Sequence, residues 1–122
     1  AYAKERIVFD RPIGMNQGIQ HPLAESWAEL EAANLMAFTA AQKYDRGENC
    51  GAEANAAKYL AGEAAFKACT NAIQTHGGMG YAKEFHVERY FREMLIHRIA
   101  PVSPQMILNY LAERVLELPR SY

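Results

Sequence analysis

The sequence has few of the features that mark disulfide frameworks, membrane spans or nucleic-acid binding. Its 122 residues include only two cysteines, Cys50 and Cys69, without the Cys-x-x-Cys spacing of zinc and redox motifs. No apolar run approaches the ~20 residues that cross a bilayer. The formal net charge of -1 provides no basic excess for binding nucleic acid. We therefore expect a soluble, cytoplasmic protein with no nucleic-acid or membrane partner.

The sequence also lacks the residue spacings of metal centres and nucleophilic triads. Di-iron sites in helical bundles use Glu-x-x-His on two helices, and none of the four histidines has a glutamate three residues before it. Glu93 and His97 are four residues apart, which is typical of an ordinary pair on a helix face. His76 and Cys69 have no recognisable third group to complete a triad. We expect neither a metal site nor a triad.

Helical periodicity is what the sequence does have. Apolar and small residues recur at helical spacing in four segments, 23–45, 51–76, 84–96 and 105–117. Pro22 is predicted near the first turn of the first segment, where a proline costs little. No segment alternates with a period of two for long enough to predict a strand. We predict an all-α protein, an antiparallel four-helix bundle spanning residues 1–122 as one domain.

The first six residues, Ala1 to Arg6, are typical of the last turns of a helix, with no N-cap before them. A helix that begins in the middle of its pattern predicts that the bundle is one piece of a longer protein.

A glycine-rich turn follows the alanine-rich second helix. Three glycines, Gly77, Gly78 and Gly80, lie within four residues. Such a turn lets the backbone come close to a ligand. A dinucleotide fingerprint would follow a strand and open a helix, so this turn is not one. The alternative interpretation is a helix C-cap with a tight turn and no ligand.

A second loop near the start carries two arginines around an aromatic residue. Arg6 and Arg11 flank Phe9, and Pro12 and Gly14 mark the segment as a loop. An Arg–aromatic–Arg loop can hold a phosphate or stack on a ring. The alternative is a surface loop anchored by Phe9 in the core.

Taken together, these motifs resemble the C-terminal helical domain of the acyl-CoA dehydrogenases. The sequence Tyr-Ala-Lys-Glu-Arg-x-x-Phe-x-Arg-Pro-Ile-Gly-x-x-Gln begins at Tyr2, and Gln-x-x-Gly-Gly-x-Gly-Tyr follows about sixty residues later. An Arg-Tyr-Phe-Arg-Glu helix comes next, and the resemblance covers essentially the whole chain. It implies a three-domain flavoprotein that binds FAD and removes two hydrogens from the α and β carbons of an acyl-CoA thioester. It also implies a homo-oligomer, a dimer or tetramer assembled largely through this bundle, with an electron-transfer flavoprotein or another acceptor as redox partner.

The resemblance also implies a set of cofactor-binding residues, two of which reach the FAD of a neighbouring subunit. Arg6, with Phe9 beside it, is expected to meet the pyrophosphate there. The glycine turn is expected to lie against the adenosine diphosphate part of the cofactor. The full set is Arg6, Phe9, Gln17, Gln74, Gly77 and Gly78. Asp10 departs from the family, which usually has glycine at this position, and its carboxylate would repel a pyrophosphate unless Arg11 neutralises it.

A second departure concerns catalysis. Many family members carry the catalytic glutamate in a Tyr-Glu-Gly-Thr segment before the last helix, where it removes the α-proton. The corresponding residues here are 99–102, and the glutamate position is Ala100. The base therefore lies on the helix upstream of the arginine loop, as in some relatives, or the parent protein has none. In the latter case it is a non-catalytic assembly module or a flavin monooxygenase-like relative.

Overall fold

The structure, a computed structural model, describes residues 1–121. Over that range it has five helices: α1 (Tyr2–Glu5), α2 (Gln17–Asp45), α3 (Gly51–His76), α4 (Val87–Ile99) and α5 (Pro104–Arg114). Short 3-10 helices cover Ile13–Met15 and Gly77–Gly80. The predicted all-α bundle is confirmed, and α2 to α5 are its four long helices.

The structure corrects the prediction that no strand is present. Strands β1 (Ile7–Val8) and β2 (Arg11–Pro12) pair antiparallel as a two-residue hairpin. Two residues are too few for a period of two to be visible, so the pattern could not have predicted this ladder.

The first long helix begins earlier than predicted. α2 starts at Gln17, so Pro22 lies inside the helix rather than near its first turn. The amides of Ile19 and Gln20 both donate to the carbonyl of Asn16, which closes a turn ahead of the proline. The carbonyl of Pro22 accepts a hydrogen bond from the Ser26 hydroxyl at 2.7 Å. The helix therefore continues through the proline.

The last helix ends earlier than predicted. Ser103 caps α5, its hydroxyl accepting from the amide of Met106 at 3.4 Å. The helix stops at Arg114 instead of continuing to Glu117 because Glu117 has φ of 55°, in the left-handed region. α4 likewise starts at Val87, three residues after the predicted Glu84, since residues 81–86 form turns.

Small residues let the helices approach one another closely. The buried positions of α2 and α3 are mainly alanine, glycine and serine, and α2 packs along α3. α4 returns along α3, with the rings of Phe66 and Phe91 5.5 Å apart and Arg98 in a bidentate ion pair with Glu63 at 2.9 and 3.1 Å. α5 also packs on α3, which is therefore the central helix.

The core is thin and much apolar surface is left outside it. Among the described residues, Ile107 is the largest side chain that is almost completely buried. On α2, Trp27, Leu30 and Phe38 share one face and are 66%, 38% and 61% exposed. No helix of residues 1–121 combines the length and the apolarity needed to cross a membrane.

Candidate functional site

The short helix α1 lies against the end of α3. The ring of Tyr2 stacks on the ring of His76, with centroids 4.1 Å apart and planes 20° apart. The Tyr2 hydroxyl donates to the carbonyl oxygen of His76 at 3.4 Å. Phe85 closes the group by packing its edge against both rings, at 5.4 and 5.6 Å. Helix α1 is thus held beside the glycine turn, although Tyr2 and His76 are 74 positions apart in the sequence.

The tip of the β1–β2 hairpin projects into solvent. Phe9 and Asp10 have φ of 51° and 60°, as in a type I′ turn, and the Phe9 side chain is 93% exposed. The alternative that Phe9 anchors the loop in the core is therefore wrong for this chain. The left-handed conformation also explains position 10: glycine adopts it freely, and aspartate is one of the few other residues that tolerate it.

The two loop arginines have different surroundings. Arg11 donates to the side-chain oxygen of Asn16 at 2.5 Å and forms no ion pair with Asp10. The pairing of Arg11 with Asp10 that would offset the repulsion of a pyrophosphate is therefore not formed. The guanidinium of Arg6 is exposed and has no hydrogen bond or ion pair within residues 1–121. Its backbone is held at both ends, since its amide donates to Tyr2 and its carbonyl accepts from Ile13, each at 2.9 Å.

The three glycines of the turn have three different environments. Gly77 has φ of 58°, which disfavours any other residue. Gly80 is buried, and a Cβ there would lie 2.5 Å from the carbonyl oxygen of Ile73. Gly78 is exposed and outside the left-handed region, and a Cβ there would meet nothing within 4 Å. Nothing within the described chain therefore requires a glycine at position 78.

The two candidate glutamines lie on helix ends near these loops. Gln17 is the first residue of α2, two residues after the 3-10 helix whose Ile13 amide donates to the carbonyl of Arg6, and its side chain is exposed. Gln74 lies in the last turn of α3, where its carbonyl accepts from the amide of Gly77 and its side chain is exposed. The structure thus brings the arginine loop and the glycine turn to one end of α3.

Ala100 lies far from this end. It follows α4, whose last turn packs near the start of α3, where Lys58 donates to the carbonyl of His97. Gly77, just after the end of α3, is about 28 Å along the helix axis from Lys58, at 1.5 Å per residue. The glutamates of α4 are paired within their own helix, Glu88 with Arg92 at 2.6 Å and Glu93 with Arg89 at 3.2 Å.

Metal ligands, Cys69 and His76 were the other candidates for a reactive centre among the described residues. No three His, Cys, Asp or Glu side chains of residues 1–121 group as metal ligands. Burial raises the pKa of the Cys69 thiol, so this residue is less readily ionised than an exposed thiol. The Nδ1 of His76 lies 2.7 Å from the carbonyl of Ala72 and is committed to its own helix.

Tyr2, His76 and Phe85 shape the site, a role that the sequence analysis gave to none of them. Both contacts of Tyr2 join segments far apart in the chain, and periodicity reports only neighbours along a helix. The sequence offered two signals: an aromatic residue, Tyr2, just before the arginine loop, and another, His76, just before the glycine turn.

The comparisons with known proteins agree on one family. The sequence profile described as "Acyl-CoA dehydrogenase, C-terminal domain" matches residues 1–116. The acyl-CoA dehydrogenase FadE12 of Mycobacterium tuberculosis is 46% identical over 123 residues, which cover 99% of this chain and 32% of that protein. The chain therefore belongs to the acyl-CoA dehydrogenase family and corresponds to its C-terminal domain.

Solved structures support the same assignment. A glutaryl-coenzyme A dehydrogenase in complex with glutaryl-CoA superposes with a TM-score of 0.90 at 34% identity, covering 98% of this chain and 31% of that one. An FAD complex of PigA also gives a TM-score of 0.90, at 29% identity, with 93% and 30% covered. The chain spans about a third of the length of these relatives.

The reasons assigned to Gly80 and Gly78 make a paired prediction about folding. Gly80→Ala forces a Cβ against the backbone of Ile73 and should lower the free energy of unfolding by roughly 1–3 kcal/mol. Gly78→Ala meets open space and should change it by less than about 0.5 kcal/mol. Urea unfolding followed by circular dichroism measures both, and equal effects of the two substitutions would contradict the assignment.

Proposed function

We propose that this chain is the C-terminal bundle of a three-domain, FAD-dependent acyl-CoA dehydrogenase, and that one end of the bundle binds the FAD nucleotide. The cofactor-binding residues are Arg6, Phe9, Gln17, Gln74, Gly77 and Gly78. When bound, FAD supplies the hydride acceptor of the reaction. The substrate is an acyl-CoA thioester, and the electrons pass to an electron-transfer flavoprotein or another acceptor.

Gly78 is the observation that carries the proposal. Its φ does not require glycine and its Cβ position is open, so nothing within the described chain explains the glycine. A side chain at this point would stand between the exposed backbone of the turn and whatever approaches it. A nucleotide diphosphate lying against the turn gives a reason for glycine that the protein itself does not give.

Arg6 supplies the charge that such a ligand needs. Its guanidinium stays protonated and presents a planar set of donors that matches phosphate oxygens. Because it has no partner within residues 1–121, binding a pyrophosphate breaks no existing ion pair. Phe9, exposed at the hairpin tip, provides an apolar ring for the same ligand.

The catalytic base is proposed to come from the helix upstream of the arginine loop. Ala100 has no group that accepts a proton, and Glu88 and Glu93 are held in ion pairs on α4. The bundle then contributes cofactor binding and assembly, and the isolated chain has no activity.

The exposed face of α2 is proposed to make the homo-oligomer contact. Trp27, Leu30 and Phe38 form an apolar strip on a helix that belongs to a folded domain, and such strips mark protein interfaces. A second copy of the chain is the expected partner, in a dimer or tetramer.

A second candidate function follows from Ala100. A non-catalytic assembly module, or a flavin monooxygenase-like relative, needs no carboxylate at this position. The assembly module predicts self-association without flavin. The monooxygenase predicts oxygen uptake with reduced flavin and an aromatic substrate.

The full-length protein tests the proposal directly. It should purify yellow, and an acyl-CoA added anaerobically should bleach the flavin absorbance near 450 nm because hydride reaches the cofactor. Gly78→Val should purify folded but colourless, since its side chain fills the space over the turn. A colourless wild-type protein after reconstitution with FAD would rule the proposal out.

Arg6→Ala in the full-length protein should weaken FAD binding by roughly 1–3 kcal/mol, through loss of a charge-assisted contact. Lys4→Ala is the control, because it removes the same charge from an exposed position on α1. Flavin content after dialysis, followed by titration with FAD, measures the difference. Equal retention in both variants would show that Arg6 makes no special contact.

Charge on the α2 strip should disrupt assembly. The double variant Trp27→Lys with Phe38→Lys should sediment as a monomer, whereas the wild type sediments as a dimer or tetramer, because burying the strip drives association. Thr39→Lys, about 100° around the helix from Phe38, should leave the assembly intact. Analytical ultracentrifugation distinguishes these outcomes, and a monomeric wild type would remove the basis for the interface.

A further inference from the structure

We propose that Tyr2 and His76 are positioning residues that hold the arginine loop and the glycine turn in the register needed to bind one ligand. The inference rests on the proposed function, because the ligand is the FAD nucleotide, and it takes both segments of one chain to contact the same FAD, that of a neighbouring subunit. It adds two residues that do not belong to the proposed binding set. Neither is assigned a contact with the cofactor.

The first step is that Tyr2 joins α1 to the end of α3. None of the residues of α1 is buried. The stacked Tyr2 ring and the Tyr2 hydroxyl bond to His76 hold α1 on the end of α3.

The second step is that this contact reaches both ligand-binding segments through the backbone. The amide of Arg6 donates to the carbonyl of Tyr2 at 2.9 Å, so a movement of Tyr2 moves the start of the loop. On the other side, the carbonyl that accepts the Tyr2 hydroxyl belongs to the His76–Gly77 peptide. The stacked pair of Tyr2 and His76 therefore connects the backbone at Arg6 to the backbone at Gly77.

The third step is that His76 provides a fixed surface. Its Nδ1 lies 2.7 Å from the carbonyl oxygen of Ala72, which can only accept, so Nδ1 carries the proton. That bond sets the ring orientation on α3, and the edge of Phe85 packs against the same ring. Tyr2 thus stacks on a ring whose orientation is set from two directions.

The fourth step is that Arg6 depends on this placement. Its guanidinium has no hydrogen bond or ion pair in residues 1–121, so side-chain contacts do not fix it. Its position is set by the backbone around it. Holding two binding segments in place before the ligand arrives reduces the entropy lost on binding.

The test is a double-mutant cycle for FAD affinity in the full-length protein. Tyr2→Ala alone should raise the Kd for FAD about tenfold, in the range expected for a lost aromatic pair. In the Tyr2→Ala background, the fold-increase in Kd that Arg6→Ala causes should be at least about threefold smaller than in the wild type. The reason is that an arginine that is already misplaced contributes less to binding. Tyr2→Phe keeps the stack and loses only a long hydrogen bond, and its Kd should stay within about twofold of the wild type.

The control is an aromatic contact elsewhere in the bundle. Phe91→Leu removes the ring pair with Phe66, eleven residues before Gly77 on α3. It should lower stability while leaving the Kd for FAD and the cost of Arg6→Ala unchanged. If Tyr2→Ala does not fold, Tyr2→Leu keeps an apolar contact with Phe85 and is expected to give the same coupling.

Each outcome is decisive. Coupling between Tyr2 and Arg6, with none between Phe91 and Arg6, supports the positioning role. Additive costs, or a Tyr2→Ala protein with wild-type affinity, overturn it while leaving the proposed function intact. A wild-type protein that binds no FAD overturns the proposed function, and the positioning role with it.

Discussion

The close packing of α3 against its neighbours is the constraint on which the rest of the structure depends. Alanine and glycine at the contacts let α2, α4 and α5 all use one central helix. The bundle buries few large side chains as a result, and its ion pairs and ring contacts between helices define how the helices align. Every candidate binding residue is placed relative to α3, either at its C-terminal end or through a segment that packs against that end.

The sequence predicted the helices well where packing and local signals agree. The last residue of α3 was predicted correctly because a glycine, which has a positive φ in the structure, follows it. The predicted start of α2 is wrong because a proline favours the first turn of a helix, whereas here the Asn16 carbonyl closes a turn ahead of Pro22. α5 was predicted too long because nothing in the apolar pattern marks Glu117 as left-handed. The β1–β2 ladder is too short to leave a pattern.

The candidate site was only partly accessible to sequence reasoning. The motifs located Arg6 and the glycines but did not show that the environments of Gly77, Gly78 and Gly80 differ. The stack of Tyr2 on His76 joins residues 74 positions apart, and no local rule reports such a contact. The motif also located Phe9, but its exposure could not be predicted, since an aromatic residue in a loop is as readily a core anchor as a ligand contact.

The unbroken helix between Lys58 and Gly77 has a consequence for how this domain can vary. Adding one residue there would advance everything beyond it by 1.5 Å and rotate it by about 100°. The glycine turn would then face away from α1, while the corner after α4 stayed in place. The number of residues in this stretch is therefore constrained by the direction in which the glycine turn faces as much as by the length of the helix. The loop between α2 and α3 can lengthen without disturbing either end.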